Sequence, residues 1–235
     1  MAITATTLSR SAGVAAAAAG LIFIGVQINH PPMDVTSVTT TEWAVRNSLK
    51  VLMAALALTG ITGMYLLQVR KSGVLGLLGY LLFGTGYLVI MSVAFVAAYV
   101  LPSLAGTAPG YVNDVLAAAA GGTAIGDIGL MQTAIQIEGI TYLAGGLVFG
   151  IALYRARVLA RWAAALLAVG TFATIAIPLL PQSFERPFAF PTGVALIGLG
   201  YSLWRTARTG RTETTETTAL PAGGNAPRLT TAGAE

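Results

Sequence analysis

Ionisable side chains inside a long apolar run are costly to bury and are kept there for pairing or for function. This chain has very few of them. Glu138 closes the run Gln132-Thr-Ala-Ile-Gln136-Ile-Glu138. It falls about nine residues into an apolar stretch, about 13 Å below the end of a helix rising 1.5 Å per residue. Lys50 falls six or seven residues into another stretch, about 10 Å down by the same measure. Arg46 stands one turn before Lys50 on the same helix face, because positions four apart align. The matched depths predict a buried Lys50–Glu138 ion pair, or Arg46 and Lys50 together around Glu138. Such a pair serves to fix helix register, or Glu138 serves as a ligand or proton site in an outward-facing cavity. In a third arrangement Lys50 snorkels to the surface and Glu138 meets water or hydroxyls.

At about 100° per residue, Gln136 lies about 40° from Gln132 on the helix wheel and Glu138 about 240° from it. The two glutamines therefore form their own aligned pair. Glu138 shares its face with Ala134, Tyr142 and Gly145. His30, the only histidine, follows Gln27 and Asn29 and precedes Pro31-Pro32. A residue before proline is pushed out of helical geometry, so the first apolar segment ends here. One histidine excludes a bis-histidine haem site and a His-rich metal site. A mixed site of His30 with Asp34, Glu42 or Glu138 is the remaining arrangement, and neither metal nor cofactor is expected. With no cysteine, thiolate zinc, iron–sulfur clusters and disulfides are excluded. Phosphate-binding loops, dinucleotide fingerprints, a nucleophile elbow and the zinc-protease helix motif are all absent.

The elements that must position these groups follow from composition. The 235 residues are 55% hydrophobic and 9% charged, against about 25% charged in a soluble domain. Mean hydropathy is +0.76. A bilayer core of about 30 Å needs about 20 apolar residues of helix. Six stretches qualify, at about 12–29, 44–68, 74–101, 129–154, 158–180 and 188–204. The expected fold is all-α, a six-helix transmembrane bundle over residues 1–205. The first stretch, preceded by Arg10, reads as a retained span rather than a cleaved signal. Residues 206–235, rich in Thr, Gly, Pro and Ala, read as a disordered cytoplasmic tail.

Basic residues set the orientation. Arg10, Arg70, Lys71, Arg155, Arg157, Arg161, Arg205, Arg208, Arg211 and Arg228 fall on one side of a six-span arrangement. Arg46, Lys50 and Arg186 fall on the other. Both termini are expected in the cytoplasm and the bundle in the plasma membrane. The net charge of +4 is scattered over segment ends, which excludes a nucleic-acid patch. The outer loops are the longer ones. Tyr111–Ala120, ended by Gly121-Gly122, predicts a short amphipathic helix over the outer mouth or a surface loop with a turn or two of helix. Gly146 and Gly150 share a face and predict close helix packing. Pro178, Pro181, Pro187 and Pro191 are expected to break or kink the last two spans at their outer ends.

The run Gly25-Val-Gln-Ile-Asn-His-Pro-Pro32, the element Gly126-Asp-Ile-Gly-Leu130 and Ala152-Leu-Tyr-Arg-Ala-Arg157 together resemble the uncharacterised multi-pass membrane proteins of high-GC Gram-positive bacteria. The resemblance covers the six spans and excludes the tail. It implies a plasma-membrane location and carries no catalytic residue with it. Three functions fit the residues. The first is a binding protein whose outward polar vestibule (His30, Arg46, Lys50, Gln132, Gln136, Glu138) takes a small molecule, a lipid or a partner, as a single chain or a homo-oligomer. The second is a small proton-coupled transporter or channel using Glu138, although the inner halves of the spans offer only scattered threonines. The third is an intramembrane enzyme with Glu138 and His30 as acid and base.

Overall fold

The computed structural model describes residues 4–175 and 189–219, with side chains described through Thr209. Every regular element among the described residues is helical. Three segments, Ala5–Gly25, Thr41–Leu104 and Leu130–Ala156, are long and apolar enough to cross a membrane. Leu21, Leu66, Val74, Leu81, Leu88 and Val169 are all exposed. Apolar surface of that extent suits lipid rather than water, which points to a membrane location.

Helix α1 (Ala5–Gly25) opens on Thr4, whose side chain accepts from the Thr7 amide. It starts earlier and ends earlier than the apolar run suggests. Residues 26–29 form a turn, and Asn29 takes a left-handed φ of 52°. The two prolines that follow prevent the helix from continuing. A single turn, α2 (Val35–Val38), is capped by Asp34.

Helical hydrogen bonding then runs through α3 (Thr41–Phe95). Gln68 (φ −130°, ψ 19°) and Gly73 (φ 56°, ψ −153°) interrupt it. The chain reverses there. Tyr65 stacks on Tyr80 with centroids 4.6 Å apart, and Trp43 reaches Ala97. A continuous helix would hold those last two about 80 Å apart. α3 is therefore a hairpin of two antiparallel arms, matching the stretches 44–68 and 74–101. Glycine at position 73 supplies the positive φ.

The second arm widens into a π-helical turn (Val96–Val100), followed by α4 (Leu101–Leu104). The Leu101 amide bonds to Val96 O. Ala97 O would next look to residue 102, which is a proline without an N–H. Trp43 Nε1 donates to that carbonyl instead, at 2.8 Å.

The expected outer helix is α5 (Pro109–Ala119). Gly121 takes φ 80°. The Gly122 and Gly121 amides bond to Ala117 O and Ala118 O, a glycine-terminated helix end of the kind the sequence implied. Asp114 then accepts from the Ile125 and Gly126 amides at 2.9 and 3.0 Å. That ties the following loop back to α5.

Helix α6 (Leu130–Ala156) packs along α3, α7 (Arg161–Ala173) along α6, and α8 (Phe190–Ala219) along α1 and α7. Glycines set the spacing. A side chain at Gly146 would strike Thr171, and one at Gly150 would strike Ala164 and Ala168. Gly13 and Gly200 each abut the other's carbonyl. Helix α8 continues through Ala219, where a disordered tail was expected from Thr206. A nucleated helix propagates at little cost, and no proline interrupts it before Pro221. Residues 220–235, Arg186 and three of the four outer prolines lie outside the described residues, and Pro191 falls in the first turn of α8.

Candidate functional site

Thr40 caps the first arm of α3, its hydroxyl accepting from the Trp43 amide at 3.2 Å. Glu42, Trp43, Arg46, Asn47 and Lys50 then follow on the first three turns. Glu42 and Arg46 pair across one turn, with Nε and Nη2 donating to Oε1 at 2.9 and 2.7 Å. Arg46 Nη1 donates to Val26 O at 3.2 Å and Ile28 O at 2.8 Å. Those carbonyls belong to the frayed end of α1, where a helix leaves acceptors unmet. Arg46 is therefore the clamp between α1 and α3, and it does not gather with Lys50 around Glu138.

Lys50 turns to His30 instead. Its ammonium donates to Nε2 at 3.2 Å, while His30 Nδ1 lies 2.8 Å from Pro31 O. A carbonyl can only accept, so the ring proton sits on Nδ1 and Nε2 keeps the lone pair that Lys50 uses. The imidazole stands edge-on to the buried Trp43 ring, with centroids 6.2 Å apart. Asn47, also buried, donates to Trp43 O at 3.0 Å. The only histidine is thus held by the residue that satisfies Ala97.

Glu138 lies half-buried on α6, and Lys50 is its electrostatic neighbour. Among the described residues the ion pair within 4.0 Å is Arg46–Glu42, and Lys50 acts on Glu138 through its charge rather than in the closed ion pair expected. The reason is geometric: Lys50 reaches up to His30 from its turn of α3.

One turn below Glu138 stands Tyr142, as the helix wheel requires. The Tyr142 ring packs against Tyr87 at 5.9 Å and Phe83 at 5.6 Å. Gly86 admits the close approach, because a side chain there would meet the Tyr142 backbone. Thr192, from the first turn of α8, sits beside the Tyr142 phenol without completing a hydrogen bond. Tyr87 and Thr192 are both fully buried, and neither hydroxyl has a partner. An unmade hydrogen bond in an apolar interior costs about 1–3 kcal/mol, so these two hydroxyls, like the buried Gln68 Oε1 near the hairpin turn, stand at a cost to stability.

Of the residues expected from sequence, His30, Lys50 and Glu138 converge. Gln132 is half-buried and Gln136 exposed, in keeping with a face separate from that of Glu138. Tyr87 and Thr192 were not legible, because a lone tyrosine or threonine in an apolar span reads as core or lipid-facing packing. Tyr142 was visible on the Glu138 face, without its neighbours. Among the described residues no group of three or more His, Asp or Glu side chains could hold a metal ion. The site therefore offers a cationic rim of Lys50 beside neutral His30, a carboxylate below it, and a floor of hydroxyls. No known family, curated protein or solved structure matches the chain.

Proposed function

We propose that the chain is a six-span plasma-membrane bundle, with both termini in the cytoplasm, that binds a small polar molecule in its outward half. The observation that carries this is the pair of unpartnered buried hydroxyls, Tyr87 and Thr192, beside Tyr142 and Glu138 and under Lys50. Hydrogen-bond donors on the guest would meet Glu138 and the hydroxyl oxygens, and an acceptor would face Lys50. The hairpin in α3 supports the second and third spans. The arginine-rich ends of α6, α7 and α8 support the orientation.

Binding is favoured over transport by what lies inward of the site. Ile61, Met64, Leu153, Leu167, Leu199 and Leu203 are essentially inaccessible. The one buried hydroxyl among them, Thr171, is committed to Leu167 O at 2.8 Å. Among the described residues, no continuous polar path runs through that layer.

The test is native mass spectrometry of the protein extracted with its own lipids, comparing wild type with Glu138→Gln and Tyr87→Phe. A small-molecule adduct that is present in the wild type and depleted in both variants supports the reading. Adduct-free wild type, together with a Tyr87→Phe variant of raised thermal stability, would leave the hydroxyls as packing defects only. Reporter fusions at Thr40, Thr107 and the C-terminus check the topology, and an external C-terminus defeats the six-span arrangement.

A further inference from the structure

At the far end of the bundle from Glu138, the first turns of α1 and Trp204 of α8 line an open groove of about 340 Å³, with Thr7, Arg10, Ser11 and Val14 on the α1 side. The mutual approach of Gly13 and Gly200 fixes the two helices here, since a side chain at Gly13 would strike Trp204. Trp204 is half-buried and carries two guanidinium groups on one indole. Arg208 lies 4.6 Å from the ring centroid and Arg10 lies 6.0 Å from it. The hydroxyls of Thr7 and Ser11 share the groove wall.

We infer that this groove binds the headgroup of an anionic phospholipid. Guanidinium forks and hydroxyl donors suit a phosphodiester, and tryptophan belongs at the headgroup level. The helix surfaces leading away from the groove suit acyl chains rather than a free anion. On α1, Val14 and Leu21 continue the Thr7 stripe at seven-residue spacing, and both are exposed. On α8, Val194 and Tyr201 continue the Arg208 stripe at the same spacing, again exposed, and Tyr201 stacks on Trp204 at 6.1 Å. A basic, hydroxyl-bearing head with apolar tracks along both flanking helices has the shape of a lipid site.

The full chain is purified in detergent and titrated with phosphatidylglycerol or phosphatidylcholine, and retained lipid is counted by native mass spectrometry. Phosphatidylglycerol is retained in preference. The double variant Arg10→Gln/Arg208→Gln lowers its affinity about thirtyfold, the scale for neutralising two basic residues at a membrane surface. Arg161→Gln, whose guanidinium lies over Tyr154 instead, retains the lipid as the wild type does. Should the double variant misfold, Ser11→Asp at an exposed position puts a carboxylate into the groove and abolishes retention. Equal retention of the two lipids overturns the proposal, as does phosphatidylglycerol retention that survives either change. Inorganic phosphate that stabilises the protein as well as the lipid does would also overturn it, by making the site one for a free anion.

Discussion

The Lys50 ammonium donates to His30 Nε2 across 3.2 Å, joining the third turn of α3 to the residue that ends the first apolar segment. The bond exists because Pro31 O holds the opposite ring nitrogen at 2.8 Å. The two residues act as a unit, so their substitutions should not add. His30→Leu removes the acceptor that Lys50 uses, and Lys50→Met removes the donor. The double variant should recover part of the summed loss, with a coupling of about 0.5–2 kcal/mol. Thermal melts of the four proteins measure it, and strict additivity would mean that the contact contributes nothing.

Trp43→Phe keeps a buried aromatic ring but removes the indole N–H together with the rest of the five-membered ring, so the lost hydrogen bond adds to a cavity. Ala97 O then has neither its π-turn donor, denied by Pro102, nor a side-chain one. The expected cost is about 1–3 kcal/mol. A variant with an unchanged melting temperature would show that another donor reaches Ala97 O.

Gly146→Val and Gly150→Val test the α6–α7 seam, where added side chains meet Thr171 on one turn and Ala164 and Ala168 on the next. Overpacking of this kind costs about 1–3 kcal/mol or more. By contrast Gly139→Ala, on the same helix with open space around it, should be neutral or mildly stabilising. Equal melting temperatures for all three would remove the seam from the account of stability.

Asp34 gives a pH dependence with a definite sign. The Ser37 amide donates to its carboxylate, and so does the Thr36 hydroxyl, each at 2.7 Å. The amide bond first, then the hydroxyl, hold its pKa below the ordinary carboxylate value. A pKa lower in the folded state than in the unfolded state contributes stability above the ordinary carboxylate range. That stability is lost as pH falls through the folded value. Wild-type protein should therefore lose more stability than Asp34→Asn on acidification, and parallel melting curves would deny the cap its charge dependence.

Helix existence, the reversal near Gln68–Gly73, the glycine-ended helix α5 and the Gly146–Gly150 contact were legible in the sequence. Each depends on local pattern: an apolar run long enough for a bilayer, a residue that takes positive φ, or two small residues on one face. The helical turns that carry Lys50 and Glu138 follow from the sequence in the same way, because rise per residue is fixed. What those residues touch was not. Periodicity fixes which face of a helix a residue occupies, but not how that helix is rotated against its neighbours. It also does not say which of several donors reaches a given acceptor. The tertiary structure decided that Arg46 closes the end of α1, that Lys50 meets His30 and acts on Glu138 through its charge, and that Tyr87 and Thr192 arrive beside Tyr142. The packing of small residues brings these helices close enough for the choice to be made. In an apolar medium an unmet polar group costs more than in water, so which donor reaches which acceptor weighs on the stability of this packing.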